Sequence, residues 1–363
     1  LFGLPPEERL PAAMQLLDAT NAEAYLRHRH LLAPDETASI RELPGGVSNA
    51  VLYVTRTTEP DFVVKQARAQ LRVAAPWFCS VERIWREVET MKVCTELLTD
   101  SSTQPSIPIS TPRLLFTDTD NFLYGMSAVP NHETWKQVLL RDEVDDRVAC
   151  SCGWLMGRLH GGTWGGKGLP ELLHDRQFFD DLRVDPYYRE IARVHADLIP
   201  AIDRLTDSLD RSICCLVHGD FSPKNLLLHE QGIVLVDFEV GHFGDPAFDT
   251  GFFLTHLALK AFQAGDEFPK YLSLIVAFRE AYADELCRFT SPHDLQNVEH
   301  RTAENLAACM LARIDGKSRV DYLSEPLRVL VREMTRTLLI ESTASLDEVI
   351  QQIHSTILES HKR

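Results

Sequence analysis

Residues 213–251 read ICCLVHGDFSPKNLLLHEQGIVLVDFEVGHFGDPAFDTG, and no other stretch constrains the fold as tightly. Three short apolar runs, Ile213–Val217, Leu226–His229 and Ile233–Asp237, are bounded by polar turn residues, the pattern of buried strands. The first run delivers His218-Gly219-Asp220. Asn225 follows five residues later at the head of the second run, and the third ends in Asp237-Phe238-Glu239. A hairpin of the last two runs can bring both carboxylates and the amide to one point. Phosphoryl transfer from a nucleotide needs such a set. One Asp orients the attacking hydroxyl and accepts its proton, while an Asn and a second Asp hold Mg2+ against the phosphates.

Around that segment the chain sorts into a strand-rich first part and a helix-rich second part. Residues 8–32 read as one or two surface helices. Ile40–Leu43 leads into the turn Pro44-Gly45-Gly46, and Val51, Tyr53 and Thr55 then alternate with Leu52, Val54 and Arg56 at a strand period. Asp61–Gln66 gives a second strand after the Glu59-Pro60 turn. Residues 81–98 place Val81, Ile84, Trp85, Val88, Met91 and Leu98 on one helical face. The Ser/Thr/Pro-rich stretch 100–112 reads as a loop, and 113–117 with 122–128 as a hairpin. Helices are expected over 133–160, 187–209, 247–265, 268–289, 296–313 and 326–360. This is the element order of an α+β, bilobal protein-kinase-like fold. An N-terminal antiparallel sheet lobe with one main helix would span 1–129, and a mostly helical C-terminal lobe 130–363.

HGDFSPKN, followed by VDFE and GDPAFD, resembles the aminoglycoside phosphotransferase and choline-kinase-like family of small-molecule kinases. That family's motif is H-x-D-x-x-x-x-N with an Asp at a DFG-like position. The resemblance implies ATP and Mg2+ as cofactors and a small-molecule hydroxyl as substrate. It implies Asp220 as the catalytic base and Asn225 and Asp237 as metal ligands, with Glu239 a candidate for a second metal. His218 reads as a hydrogen-bonding prop, and Asp249 as the anchor of the catalytic loop.

The N-terminal lobe should supply a lysine for the phosphates, and Lys65 in DFVVKQ stands on a strand ahead of the main helix. Glu87 and Glu89 compete as its partner. At 100° per residue, Glu87 lies about 80° from the centre of the apolar face and Glu89 about 120°. A partner aimed into the cleft must border the buried face, which favours Glu87; the family's R-E-x-x-x-L pattern, here Arg86 to Met91, agrees. Pro44-Gly45-Gly46-Val47-Ser48-Asn49 is similar to the family's G-G-x-S/T-N loop, where small residues let backbone N–H groups approach a phosphate. Gly45, Gly46, Ser48 and Asn49 are therefore nucleotide-binding candidates. Met126 to Pro130 falls where the family joins its lobes and seats adenine.

Some features resemble the methylthioribose kinase branch: VVKQ, the D-x-E of Asp237–Glu239, F-D-x-G-x-F at Phe248–Phe253, and MLARIDG at 310–316. The chain departs from that branch at Asn225, where the branch has Ser, and at Ala312-Arg313, where it has paired Arg. A cationic acceptor such as an aminoglycoside or choline would want acids in the C-terminal helices, where Asp284, Glu285 and Asp315 are available.

Composition removes other classes. The 363 residues carry 37 Lys+Arg against 53 Asp+Glu, a net charge of −16, so no nucleic-acid partner is expected. Eight cysteines without a C-x-x-C pair read as reduced thiols of a cytoplasmic protein. The start, LFGLPPEERLPAAM, does not read as a signal peptide. The most apolar helical stretch, Gly251–Phe262, is interrupted by Thr255, His256 and Lys260, so no membrane span is expected. A protein kinase is the nearest rival. Against it, Gly219 replaces the Arg of H-R-D, no A-P-E follows, and eleven residues between Asp237 and Asp249 are too few to seat a peptide. A metal-dependent phosphohydrolase could use His218, Asp220, Asp237, His242 and Asp245, and would need neither Lys65 nor Glu87. A non-catalytic nucleotide-binding scaffold is the third alternative.

Overall fold

The computed structural model describes residues 14–44, 49–70, 80–99, 103–342 and 345–360. Helix α1 (Ala22–His28) leads to β1 (Ala38–Glu42), β2 (Asn49–Arg56) and β3 (Phe62–Ala67). After α2 (Arg83–Thr99) and the two-residue β4 (Ile109–Ser110) come β5 (Leu114–Asp118) and β6 (Leu123–Ser127). Five of these strands form an antiparallel sheet in the order β1-β2-β3-β6-β5. The central strand β3 is buried along its whole length, which explains its run of apolar residues around Lys65. Lys65 lies opposite Val51 and Tyr124. Helix α2 buries Ile84, Val88, Met91 and Cys94 in the same core as Tyr124 and Ala67.

The stretch 100–112 is not wholly loop. Ile109 and Ser110 pair in parallel with Ile233 and Val234, and Ile109 is buried there. No local pattern announces a two-residue strand whose partner lies over a hundred residues away.

β7 (Glu133–Thr134), α3 (Trp135–Leu139) and α4 (Asp146–Gly162) replace the single helix expected over 133–160. Thr134 and Gln137 form a capping box that starts α3. Asp142 then turns the chain with a φ of 57°, and the Asp145 side chain caps α4. Further on, α5 (Gln177–Phe179), a π-helical stretch over Asp180–Arg189 and α6 (Glu190–Val194) run into one another. The helix expected over 187–209 breaks at His195, where the backbone leaves the helical region, and α7 (Ile199–Arg211) follows.

Next come β8 (Cys215–Val217), β9 (Leu226–His229), β10 (Gly232–Leu235) and β11 (His242–Gly244). β9 and β10 form the expected hairpin, flanked in the order β4-β10-β9-β7, while β8 pairs with β11. Helices α8 (Pro246–Gln263), α9 (Phe268–Leu286) and α10 (Pro292–Asp315) pack behind them. Helix α8 is buried on nearly every side because it lies between two cores: Phe253, Leu254 and Leu257 face one, Phe248 and Phe252 the other. The helix expected over 326–360 is two, α11 (Glu325–Glu341) and α12 (Leu346–Ser360). Ser342 ends the first in the left-handed region, and Ser345 and Glu348 cap the second. Among the described residues no helix is long and apolar enough to cross a membrane.

Candidate active site

The loop His218–Asp220 is held by its backbone. Asp249, in the first turn of α8, accepts from His218 N at 2.6 Å and from Gly219 N at 2.8 Å. A carboxylate near a helix N-terminus suits that duty, because the helix dipole favours its charge. Asp245 caps the same helix and is clasped by Arg301 through two bonds of 2.7 and 2.9 Å. Gly219 has a φ of 76°, and a Cβ there would meet Val240 Cγ1 at 2.7 Å and Val240 O at 2.8 Å. Hence H-G-D fits here and H-R-D does not. His218 Nδ1 accepts from Asp220 N at 3.2 Å, and burial keeps its ring below the usual histidine pKa.

Asp220 emerges from this loop into a cleft of about 770 Å3. Its Oδ1 pairs with Arg183 at 2.9 Å, and its Oδ2 with Lys224 at 2.8 Å and Asn225 Nδ2 at 2.9 Å. Burial pushes this carboxyl up, but Lys224 and Arg183 outweigh it and hold it below the usual range. Arg183 comes from the π-helical stretch, whose wide turn presents Arg183, Pro186 and Tyr187 to the cleft together, and its Nε donates to Gly219 O at 2.6 Å. Sequence reasoning missed both cations. Lys224 is visible in HGDFSPKN, one turn after Asp220, whereas Arg183 sits in a segment with no motif.

Across the cleft, Lys65 Nζ lies 2.6 Å from Glu87 Oε1 and 2.7 Å from Asp237 Oδ1. Asp237 ends the β9–β10 hairpin with a φ of 72°, a strained conformation for a residue with a side chain. One ammonium thus serves two carboxylates. Burial alone would strip its proton, but Asp237 and Glu87 keep Lys65 charged. Burial also opposes the charge on Asp237, yet Lys65 and then Lys224 hold that carboxyl well below the usual range. Glu87 is left short of positive charge: burial lifts it to about 7, with Lys65 pulling the other way. A second link joins the sheet to the hairpin: Asn49 Nδ2 donates to Glu239 at 3.0 Å, and the fully buried Arg83 donates to Asn49 Oδ1 at 3.2 Å.

Asn49, Lys65, Met126, Asp220, Asn225, Asp237 and Glu239 therefore line one cleft, and Glu87 stands behind Lys65. Gly45, Gly46 and Ser48 lie outside the described residues. Glu89 pairs with Lys92 at 2.7 Å near the surface. The three acids proposed for a cationic acceptor are elsewhere. Asp284 is exposed, Glu285 pairs with Arg158 and Arg288, and Asp315 pairs with Arg332 and His195; none lines the cleft. His242, which a phosphohydrolase could use, is buried and does not line the cleft; it stacks on Phe179 at 4.2 Å.

This arrangement makes Lys65 and Glu87 act as a unit. Lys65→Ala should strongly weaken nucleotide binding or turnover, and Glu87→Ala should do so less. The double mutant should be little worse than Lys65→Ala, because removing the positioner of an absent group adds little. Glu89→Ala should be near neutral. Additive effects of Lys65 and Glu87 in nucleotide titrations and steady-state rates, or a larger loss at Glu89 than at Glu87, would contradict the pairing.

A family model described as the phosphotransferase enzyme family matches residues 39–291. Among solved structures, amicoumacin kinase in complex with AMP-PNP, Ca2+ and Ami aligns with a TM-score of 0.53 at 12% identity, covering 88% of this chain and 93% of that one. The likeness is one of fold, α+β and protein-kinase-like. A choline/ethanolamine kinase family protein from Mesorhizobium loti aligns at 0.48 and 14% identity, over 92% and 99% of the two chains. An aminoglycoside phosphotransferase from Alicyclobacillus acidocaldarius aligns at 0.44 and 12%, over 99% and 98%. No curated protein matches the chain.

Proposed function

The chain belongs to the phosphotransferase enzyme family, and we propose that it is an ATP- and Mg2+-dependent kinase phosphorylating a hydroxyl of a small molecule. The observation that carries this reading is the convergence, on one cleft, of a Glu87-held Lys65 with Asp220, Asn225 and Asp237. On this reading residues 1–129 form the nucleotide-binding lobe and 130–363 the catalytic and substrate-binding lobe. Met126 would lie beside the base and Lys65 and Asn49 at the phosphates, with Gly45, Gly46 and Ser48 proposed as further nucleotide-binding residues.

The donor set fits a hard divalent cation. Asp237 and Glu239 offer carboxylate oxygens, and the Asn225 nitrogen is occupied by Asp220 at 2.9 Å, so the amide's other end, an oxygen, is the one Asp220 does not engage. Mg2+ commonly takes one or two such protein oxygens and fills its shell with water and phosphate. When bound, it neutralises charge building on the phosphates.

In the transfer itself, the acceptor oxygen forms a bond to the γ-phosphorus. The bond from that phosphorus to the β,γ-bridging oxygen breaks, and its electron pair leaves with ADP. The acceptor's proton passes to Asp220. A carboxylate held below its usual pKa is a weak base, so Asp220 first orients the hydroxyl and takes the proton late, as a loose transition state allows. Arg183 and Lys224, one on each oxygen of Asp220, are placed to meet the charge on the moving phosphoryl group.

The test is a screen of sugars, amino alcohols and antibiotics with γ-labelled ATP and Mg2+. Label transferred to an acceptor is the expected result. Label released only as inorganic phosphate would favour a phosphohydrolase, and tight AMP-PNP binding with no turnover would favour a scaffold.

A further inference from the structure

Below Asp220 the cleft runs along one face of α8, where Phe252, His256 and Lys260 follow one another at four-residue spacing. Arg313, in the last turn of α10, and Tyr322, from the connector between α10 and α11, also line the cleft. The whole cleft is lined by eight Lys and Arg against four Asp and Glu, in a chain of net charge −16. Three of those four acids, Asp220, Asp237 and Glu239, already have proposed work at the base and metal, and the fourth, Asp321, is exposed.

Lys260 is the decisive residue. It is 2% exposed, and among the described residues it makes no ion pair. Among the described residues its ammonium donates only to His256 O, at 3.3 Å, and it lies 5.4 Å from the centre of the Tyr322 ring. Three polar atoms of its neighbours are also buried without a hydrogen-bond partner among the described residues: His256 Nε2, Arg313 Nε and Tyr322 Oη. A buried cation without a counter-ion is costly, and so is each buried donor left unmade. Ammonium and guanidinium can only donate, and hydroxyl and imidazole N–H can donate too. The cluster therefore lacks one thing, a group of acceptor oxygens carrying negative charge.

We propose that the acceptor molecule carries an anionic group, a carboxylate or a phosphate, which Lys260 receives with Arg313, His256 and Tyr322 beside it. The proposal rests on the kinase reading above and names the substrate class that reading leaves open. It opposes a cationic acceptor, which would face Lys260 instead of the acids the sequence offered. Among the described residues, the groups facing Lys260 are Lys136 from α3, Arg313 from α10, His256 on its own helix and Tyr322 from the connector, and no carboxylate is among them. Burial first, then Lys136 and Arg313, lowers the Lys260 ammonium to about 7. An arriving anion should restore its proton, so binding above pH 7 should take up a proton.

The experiment uses full-length protein saturated with AMP-PNP and Mg2+, which fills the phosphate end of the cleft. Inorganic phosphate and glycerate probe the two anion chemistries; glycerol and choline are the neutral and cationic controls. Calorimetry at pH 8 in buffers of different ionisation enthalpy should show that at least one anion binds with proton uptake and neither control binds. Lys260→Met should weaken that binding at least tenfold, keep AMP-PNP affinity, and raise the melting temperature of the unliganded protein, since folding no longer has to strip the proton from a buried lysine. Lys260→Arg should restore anion binding without proton uptake. The proposal is overturned if neither anion binds, if choline binds in preference, or if Lys260→Met costs AMP-PNP tenfold in affinity, which would give the cluster to the nucleotide. Failure of AMP-PNP to bind wild type overturns the kinase reading instead. The anion arms are then read on the unliganded protein, with Lys65→Met as the control for binding at the other end of the cleft.

Discussion

Asp220→Asn should lower turnover by a factor on the order of 10² or more, as removal of a general base does, while AMP-PNP affinity stays within a few-fold. The substitution keeps the side chain's shape, and its amide oxygen can still accept from Asn225 Nδ2, which lies 2.9 Å from Asp220 in the wild type. Charge is what it removes. Arg183 and Lys224 then lose a carboxylate at 2.9 and 2.8 Å. Arg183 retains its bond to Gly219 O, so the loop has a second hold on it. Lys224 is half exposed and can turn to water. Some stability should be lost, and a melting curve taken beside the rate assay separates that loss from the chemical one. The pH profile gives a second reading. Asp220 is held below the ordinary carboxylate range, so wild-type turnover should show no acidic limb near neutrality belonging to this residue. A folded, nucleotide-binding Asp220→Asn protein with full turnover would sink the assignment.

Where a contact is local, or follows one helical or strand period, it could be read from the residues alone. The hairpin that sets Asn225 and Asp237 together is one case, since both ends of each apolar run are visible in the chain. Glu87 is another. The angle between it and Glu89 follows from helix geometry, and the structure puts Glu87 on Lys65 and Glu89 on Lys92. The breaks in the long helices were written in capping residues, Asp145 and Ser345, whose signals are short beside the apolar periodicity around them. What stayed hidden depends on distant partners. Arg183 matters because the π-helical turn aims it 37 residues along the chain at Asp220. Gly219 is required by Val240, and β4 by β10. Lys260 looked like an interruption of an apolar helix. It became informative only because, among the described residues, the charged groups around it are Lys136 and Arg313 and no acid.

Asp237→Asn should abolish the Mg2+ dependence of nucleotide binding and take turnover down by at least the same order as Asp220→Asn. A divalent ion held by few protein oxygens cannot lose its main carboxylate and keep its place. Asn is the informative replacement because residue 237 sits at a φ of 72°. Asn tolerates the left-handed region and Ala does not, so Asp237→Ala adds backbone strain of about 1–3 kcal/mol to the loss of charge. If metal binding is the issue, both variants lose it equally, and the Ala variant melts lower than the Asn variant by the added backbone strain. The Lys65 ammonium, 2.7 Å from Asp237, keeps Glu87 at 2.6 Å in either variant, so the N-terminal sheet should not come apart. The stability difference between wild type and Asp237→Asn should itself depend on pH. Asp237 is held well below its unfolded value, so the stabilisation from its ionised form is present above the ordinary carboxylate range and lost as pH falls from there down through the depressed folded value. The gap between the two proteins should therefore be widest near neutrality and narrow in acid. Calorimetry showing AMP-PNP binding with unchanged Mg2+ dependence in Asp237→Asn would remove this residue from the metal site and move the assignment to Glu239.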